Sequence, residues 1–145
     1  VEMSEGYFAS LIGYAASECF GVAGMANTSA TEGLLSAIRR KDPDALFMAD
    51  CSTAEEGLAA QRLGFDCVGT TLASYTPYTK GRAIPDFAMM RELASALTIP
   101  LIAEGGIWTP EQLREALDTG AAAAVVGTAI TRPREITRRF VSAIR

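Results

Sequence analysis

Residues 100–111 read PLIAEGGIWTPE, and this stretch predicts how the chain folds. It begins with a short apolar run that ends at Glu104, and two glycines follow. Thr109, Pro110 and Glu111 then supply an N-cap, a proline suited to the first helical position and an early acid. A short apolar run bounded by turn residues indicates a buried strand, so the stretch predicts a strand followed by a helix.

The same pattern occurs four times from residue 45 onward. Apolar runs predict strands at 45–50, 67–71, 100–104 and 122–126. Amphipathic segments predict helices that end near residue 63, span about 86–97, run from 110 to a closing glycine at 120, and span about 133–144. Strands that alternate with helices are typical of a parallel α/β sheet.

The predicted fold class is α/β, of the (β/α)8 TIM-barrel type. A complete barrel usually needs about 250 residues and seldom fewer than about 200. Because the sequence has 145 residues, we predict a partial or half barrel of about four to five βα units. We therefore expect either a fragment of a longer protein or an unusually short form.

The composition favours a small molecule as the ligand. The formal net charge is −4, the pI is about 4.8 and the basic residues are scattered, which argues against nucleic acid or an anionic membrane as the partner. The three cysteines have no C-x-x-C spacing and the sequence has no histidine, so neither a disulfide framework nor a common zinc site is recognisable. We expect a cytoplasmic protein without a metal or cofactor, in which carboxylates, lysines or tyrosines transfer any proton.

The first 40 residues differ in composition from the rest, because every Lys and Arg lies from Arg39 onward and every proline from Pro43 onward. We predict a segment of residues 1–40 packed on a domain formed by residues 41–145. Residues 7–26 are nearly all apolar or small, which suits either a membrane span or a packed amphipathic helix. Glu18 interrupts this run and no basic residue precedes it, so the packed helix is favoured. Residues 21–26 also fit a strand, and residues 32–40 fit a helix.

Side chains at the carboxyl ends of the strands of such a barrel face one common mouth, where active sites lie. The residues predicted there are Asp50, Thr70, Thr71, Glu104 and Gly127. Two carboxylates on different strand ends suit proton transfer at a substrate carbon or hydroxyl. Asp50 also fits a helix N-cap or loop acceptor, and Glu104 also fits a solvated surface.

Glycines follow the last two predicted strands, as Gly105-Gly106 and Gly127-Thr128, and each pair leads into a helix. Backbone N–H groups at such turns bind anions, so the phosphate of a small sugar or acid fits here. Turns between strands and helices also use glycine simply for its backbone freedom. Arg132 supplies a fork of donors for a phosphate or carboxylate, or is an ordinary surface arginine.

Five motifs stand in a characteristic order and spacing. They are Met48-Ala49-Asp50-Cys51-Ser52-Thr53, the run FDCVGTT at 65–71, Tyr75-Thr76-Pro77-Tyr78-Thr79, Ile102-Ala103-Glu104-Gly105, and the run VGTAITRP at 126–133. Together they resemble the N-acetylmannosamine-6-phosphate 2-epimerase family, a set of barrel isomerases that work without a cofactor. The resemblance covers about residues 45–145.

The resemblance implies conversion of N-acetylmannosamine 6-phosphate to N-acetylglucosamine 6-phosphate by proton transfer at C2, in sialic acid and amino-sugar breakdown. In the family a lysine moves this proton, a glutamate assists, and an aspartate and an arginine help to hold the substrate. Glu104, Asp50 and Arg132 match the last three by motif, and Gly105, Gly127 and Thr128 then lie near the phosphate. Thr70 and Thr71 are further candidate substrate contacts, and Gly106 a further phosphate contact.

The family's lysine comes from an early strand, and neither Lys41 nor Lys80 falls in its motif. Three hypotheses follow: an epimerase, a non-catalytic half barrel, and a barrel module for another sugar phosphate. An inward-facing Lys80 would favour the first. Because an incomplete parallel sheet has open edges, we expect the half barrel to pair with a second copy as a homo-oligomer.

Overall fold

The structure, a computed structural model, describes residues 31–144, with side chains from residue 35 onward. It divides into two compact units, Val1–Ala45 and Leu46–Arg145. In the first unit, helix α1 (Thr31–Lys41) confirms the predicted helix at 32–40. The elements predicted within 7–26 lie outside the described residues, and the packing of residues 1–40 on the rest stays a prediction.

The second unit alternates strands and helices as predicted. Its elements are β1 (Met48–Asp50), α2 (Ala54–Arg62), β2 (Cys67–Gly69), α3 (Phe87–Ala96), β3 (Leu101–Ala103), α4 (Pro110–Asp118), β4 (Ala123–Ala124), α5 (Thr128–Thr131) and α6 (Pro133–Ser142). The four strands lie where the apolar runs predict them, but each is two or three residues shorter than predicted. Helix α5 was not predicted, since four residues are too few to show a helical period.

All four strands pair in parallel in the order β1-β2-β3-β4. Ala49 lies opposite Val68, Gly69 opposite Ile102, and Ala103 opposite Ala124. Neighbours in sequence are therefore neighbours in the sheet, and α2, α3 and α4 carry the chain back between them. This topology brings the carboxyl ends of the strands to one edge.

Local side-chain bonds start the helices where the sequence predicts them. The Thr109 hydroxyl accepts the Gln112 N–H at 3.2 Å, and the Gln112 side chain accepts the Thr109 N–H at 3.2 Å, which forms a capping box. Thr53 caps α2, and Asp86 caps α3. Among the described residues, no helix is both long and apolar enough to span a bilayer.

The core lies between the sheet and the helices that cover it, and Val68, Met90 and Leu93 at its centre are completely buried. Helix α2 approaches this core closely at Gly57. A Cβ atom at Gly57 would lie 2.7 Å from Leu93 Cδ2 and 3.2 Å from Val68 Cγ1. The absence of a side chain at Gly57 therefore lets α2 pack tightly against its neighbours.

This close approach reverses the usual effect of alanine in a helix, which is a gain of about 1 kcal/mol over glycine. We expect Gly57→Ala to lower the free energy of unfolding by about 1 kcal/mol or more, because overpacking a core typically costs about 1–3 kcal/mol. Urea unfolding would measure it. A Leu93→Ala background removes the 2.7 Å contact and leaves the 3.2 Å contact with Val68, so there Gly57→Ala should cost clearly less than in the original chain. A gain in stability in both backgrounds would contradict the packing argument.

Candidate active site

The predicted carboxylates meet at the carboxyl edge of the sheet. Asp50 is the last residue of β1, Thr71 follows β2 by two residues, and Glu104 directly follows β3. The Thr71 hydroxyl donates to Asp50 Oδ1 at 2.7 Å and also contacts Glu104 Oε1. These three side chains, from three different strand ends, are called the carboxylate cluster below.

One proton cannot serve both contacts of the Thr71 hydroxyl at the same time. The hydroxyl donates to one of the two carboxylates at a time, and each such bond favours the ionised form of the carboxylate that accepts it. Burial raises the pKa of Glu104 above its ordinary value, and the negative charge of Asp50 raises it further against the lowering effect of the Thr71 bond. The cluster is therefore suited to hold and release a proton.

Gly69 forms the floor of the carboxylate cluster, a role that the sequence analysis missed. A Cβ atom there would lie 2.7 Å from Glu104 Oε1, 3.1 Å from Thr71 Oγ1 and 3.4 Å from Asp50 Oδ1. The glycine inside the predicted strand was the available signal for this role, because such a glycine often marks a close approach of other groups.

Thr70 was predicted to contact substrate, but its side chain is fully buried. Its hydroxyl donates to the Glu104 carbonyl at 2.7 Å and accepts the Glu104 N–H at 2.9 Å. Because the hydroxyl is enclosed and occupied on both sides, it fixes the backbone of Glu104. In this structure Thr70 thus holds Glu104 in place, and its predicted contact with substrate stays a prediction.

Gly105 and Gly106 both have positive φ, at 100° and 75°. A Cβ atom at Gly105 would lie 3.3 Å from the Thr70 carbonyl, and one at Gly106 would lie 2.9 Å from Ile84 Cβ. Both positions require glycine for conformation and space, which accounts for the pair without a ligand. Their contact with phosphate stays a prediction.

Gly127, Thr128 and Arg132 lie beyond β4 at the same edge of the sheet. The Val125 N–H donates to the Ala103 carbonyl at 2.9 Å, which holds this part of the chain beside β3. Gly127 and Arg132 are exposed, and nothing lies within 4 Å of a Cβ built at Gly127. Within residues 31–144, no hydrogen bond or ion pair joins Gly127, Thr128 or Arg132 to the carboxylate cluster. Their contacts with substrate and phosphate stay predictions.

Within residues 46–144, Lys80 does not contact the carboxylate cluster. Lys80 is exposed and forms neither a hydrogen bond nor an ion pair within residues 31–144, so it does not face inward there. Lys41 ends α1, in the other unit. Within residues 46–144, a proton-abstracting lysine is therefore not part of the site.

Cys51 follows Asp50, but its thiol is not a nucleophile at neutral pH. Burial, followed by the charges of Glu56 and Asp50, raises the pKa of Cys51 to about 12. Cys51 and Cys67 are both free thiols. In the part of the chain that the structure describes, no three His, Cys, Asp or Glu side chains are arranged to hold a metal ion.

Comparison with known proteins extends the resemblance seen in the motifs. A family model described as "Putative N-acetylmannosamine-6-phosphate epimerase" matches residues 22–145. The chain belongs to this family. The match begins at residue 22, upstream of the first motif, so part of the compositionally distinct N-terminal segment is also related to the family.

Two relatives are named "Putative N-acetylmannosamine-6-phosphate 2-epimerase". The one from Caldanaerobacter subterraneus subsp. tengcongensis is 53% identical over 115 residues, which are 79% of this chain and 48% of the relative. The one from Clostridium perfringens is 56% identical over 100 residues, which are 69% of this chain and 45% of the relative. The chain thus spans about half the length of the curated relatives it matches.

A solved structure of the N-acetylmannosamine-6-phosphate 2-epimerase from Clostridium perfringens is 54% identical and has a TM-score of 0.72. The match covers 77% of this chain and 48% of that chain. The predicted α/β fold class, a partial barrel of the (β/α)8 type, is confirmed by this match and by the parallel four-stranded sheet.

Two conservative changes should shift the pKa of Glu104 in opposite directions. Thr71→Val removes the bond that lowers the pKa of Glu104, so that pKa should rise. Asp50→Asn removes the neighbouring charge that raises it, so the pKa of Glu104 should fall. Carboxyl ¹³C NMR over a pH titration would measure both. Thr131→Val, at an exposed threonine on α5, is the control and should leave the pKa of Glu104 unchanged. Shifts of the same sign in the two variants would contradict the opposite effects assigned to the Thr71 bond and the Asp50 charge.

Proposed function

We propose that this chain provides the general acid and the substrate-binding residues of an isomerase that interconverts N-acetylmannosamine 6-phosphate and N-acetylglucosamine 6-phosphate. The carboxylate cluster is the observation that supports this proposal. It combines one carboxyl with a raised pKa and one exposed carboxylate at the edge where parallel α/β barrels place their active sites. The names of the relatives supply the substrate.

The reaction moves one proton and leaves the oxidation state of the sugar unchanged. A base removes the proton from C2 of the open-chain sugar, and the electron pair moves onto the carbonyl oxygen at C1. Protonated Glu104 donates to this oxygen or to a neighbouring sugar oxygen, and the exposed Asp50 accepts hydrogen bonds from sugar hydroxyls. Return of a proton to the opposite face of C2 completes the epimerisation. No electron acceptor is required.

Arg132, Gly127 and Thr128 bind the 6-phosphate in this proposal, together with Gly105 and Gly106. Arg132 is exposed, so its guanidinium is free to form paired hydrogen bonds with phosphate oxygens. Gly127 carries no side chain and has open space around it. A phosphorylated, charged substrate is retained in the compartment where it is made, so we place the enzyme in the cytoplasm.

A self-associating half barrel is the second candidate. Large apolar side chains are exposed on and near α6, among them Phe140 at 73% and Ile144 at 85%. Exposed apolar groups of this size favour association. In this interpretation a second copy of the chain covers these apolar side chains in a homo-oligomer. The chain then does not catalyse a reaction. A module for a different sugar phosphate has less support, because the relatives share one substrate in their names.

The isomerase is tested by incorporation of deuterium at C2 of N-acetylmannosamine 6-phosphate in D2O, followed by ¹H NMR. We expect exchange with the purified chain, and a loss of about 10² to 10⁴-fold in Glu104→Gln, the range typical of a general acid or base. Glu92→Gln, an equivalent change at an exposed residue of α3, is the matched control and should exchange like the original chain. If neither the original chain nor the control exchanges, the non-catalytic half barrel is favoured.

Phosphate recognition by Arg132 can be measured separately from turnover. Arg132→Gln should weaken binding of N-acetylmannosamine 6-phosphate by about tenfold or more, because charged hydrogen bonds contribute about 1.5–3 kcal/mol. Binding of unphosphorylated N-acetylmannosamine should not change. Arg134→Gln removes an exposed arginine two residues further along and is the control. NMR titration gives both affinities, and equal losses in the two variants would exclude a specific role for Arg132.

A further inference from the structure

Ser52, Glu56 and Tyr78 form a second polar cluster, called the latch below. Glu56 Oε2 accepts the Ser52 N–H and the Ser52 hydroxyl, both at 2.7 Å. The Tyr78 hydroxyl donates to Glu56 Oε1 at 2.5 Å and lies 3.0 Å from Ser52 Oγ. One carboxylate thus collects three hydrogen bonds, and Ser52 lies two residues beyond Asp50.

The start of α2 does not require Tyr78. Thr53 caps the helix by accepting the Glu56 N–H at 3.3 Å, and the bonds between Ser52 and Glu56 are local. Tyr78 arrives from 22 residues away, and 66% of its surface is exposed. Tyr78 therefore lies largely outside the core, and its hydroxyl bond to Glu56 attaches it to α2.

The latch attaches residues 71–86, which connect β2 to α3 and are called the β2–α3 segment below. This segment begins in the carboxylate cluster, at Thr71. The next residue, Leu72, donates its N–H to the Cys51 carbonyl at 3.1 Å. Within the segment, the Tyr75 N–H donates to the Leu72 carbonyl at 2.9 Å, and the Thr79 N–H donates to the Thr76 carbonyl at 3.2 Å.

The segment is therefore tied to the end of β1 at two places, directly at Leu72 and through the latch at Tyr78. Both attachments lie within a few residues of Asp50 along the chain. A connection of this length at the mouth of a site is typical of functional loops. Ala73 and Thr79 of the segment are also buried, so the Tyr78 bond acts in addition to these packing contacts.

We propose that Tyr78 is a positioning residue, whose bond to Glu56 holds the β2–α3 segment against the end of β1 and so keeps Thr71 in the carboxylate cluster. Tyr78 acts through the backbone of the segment and does not touch the reacting atoms. Its consequence for proton transfer rests on the proposed function. Its effect on the segment does not.

Amide hydrogen exchange followed by NMR tests this on the full chain without substrate. In Tyr78→Phe, the amides of Leu72, Tyr75 and Thr79 should exchange about tenfold or more faster, the factor expected from losing a hydrogen bond to a charged acceptor. Tyr75→Phe is the matched control, because Tyr75 is also 62% exposed and its hydroxyl has no bond within the described residues. The amides of Val68 and Leu93, in the core, report any general loss of stability.

The position of the faster amides decides the result. Equal exchange in Tyr78→Phe and Tyr75→Phe would overturn the latch. Faster exchange at Tyr75 and Thr79 with Leu72 unchanged would overturn the positioning of Thr71, because the loosening would stop short of it. Faster exchange at all three, with Val68 and Leu93 unchanged, is the expected result.

Glu56→Gln supplies a second, independent variant. It should speed the same amides, and adding Tyr78→Phe to it should have little further effect, since both changes break one interaction. Fully additive effects would contradict a shared bond. If the chain also exchanges C2 of N-acetylmannosamine 6-phosphate, Tyr78→Phe should slow this exchange more than Tyr75→Phe does. Absence of C2 exchange in the original chain would count against the isomerase alone, since the amide result stands without substrate.

Discussion

The parallel pairing of β1, β2 and β3 is the constraint on which the candidate site depends. Hydrogen bonds continue the ladder past the strand ends, from the Cys51 N–H to the Gly69 carbonyl at 2.8 Å and from the Thr70 N–H to the Ile102 carbonyl at 3.3 Å. These bonds fix the heights of three strand ends relative to one another. A slip of one residue in this register would turn a carboxylate to the opposite face of the sheet and separate the cluster.

Bringing Asp50 and Glu104 together creates an electrostatic cost that the surrounding residues reduce. Two neighbouring carboxylates are not easily ionised together, so one of them tends to keep a proton. Glu104 is the more buried of the two, and this burial raises its pKa above the ordinary value. Thr71 supplies a hydroxyl between them, and Gly69 leaves the space in which they meet. The two carboxyl groups therefore differ by their surroundings and not by their chemical type.

The partial barrel contains some of the features of an active site and lacks others. The described chain provides adjacent strand ends, an anchored segment at residues 71–86 and an open glycine turn beyond β4. It places no lysine beside the carboxylates within residues 46–144. The chain spans about half the length of its relatives. Substrate binding by this chain therefore does not by itself imply turnover.

The sequence by itself determined the alternation of strands and helices, their approximate positions and the meeting of Asp50 with Glu104 at one edge. These features follow from apolar runs and helix caps such as Thr109, which depend on residues a few positions apart. Only the tertiary structure decided that Thr70 is buried, that Gly69 forms a floor and that Tyr78 reaches Glu56. Each of these depends on contacts between residues about 20 to 35 positions apart, and the local pattern of a sequence does not specify such contacts, because they arise only once the strands have paired.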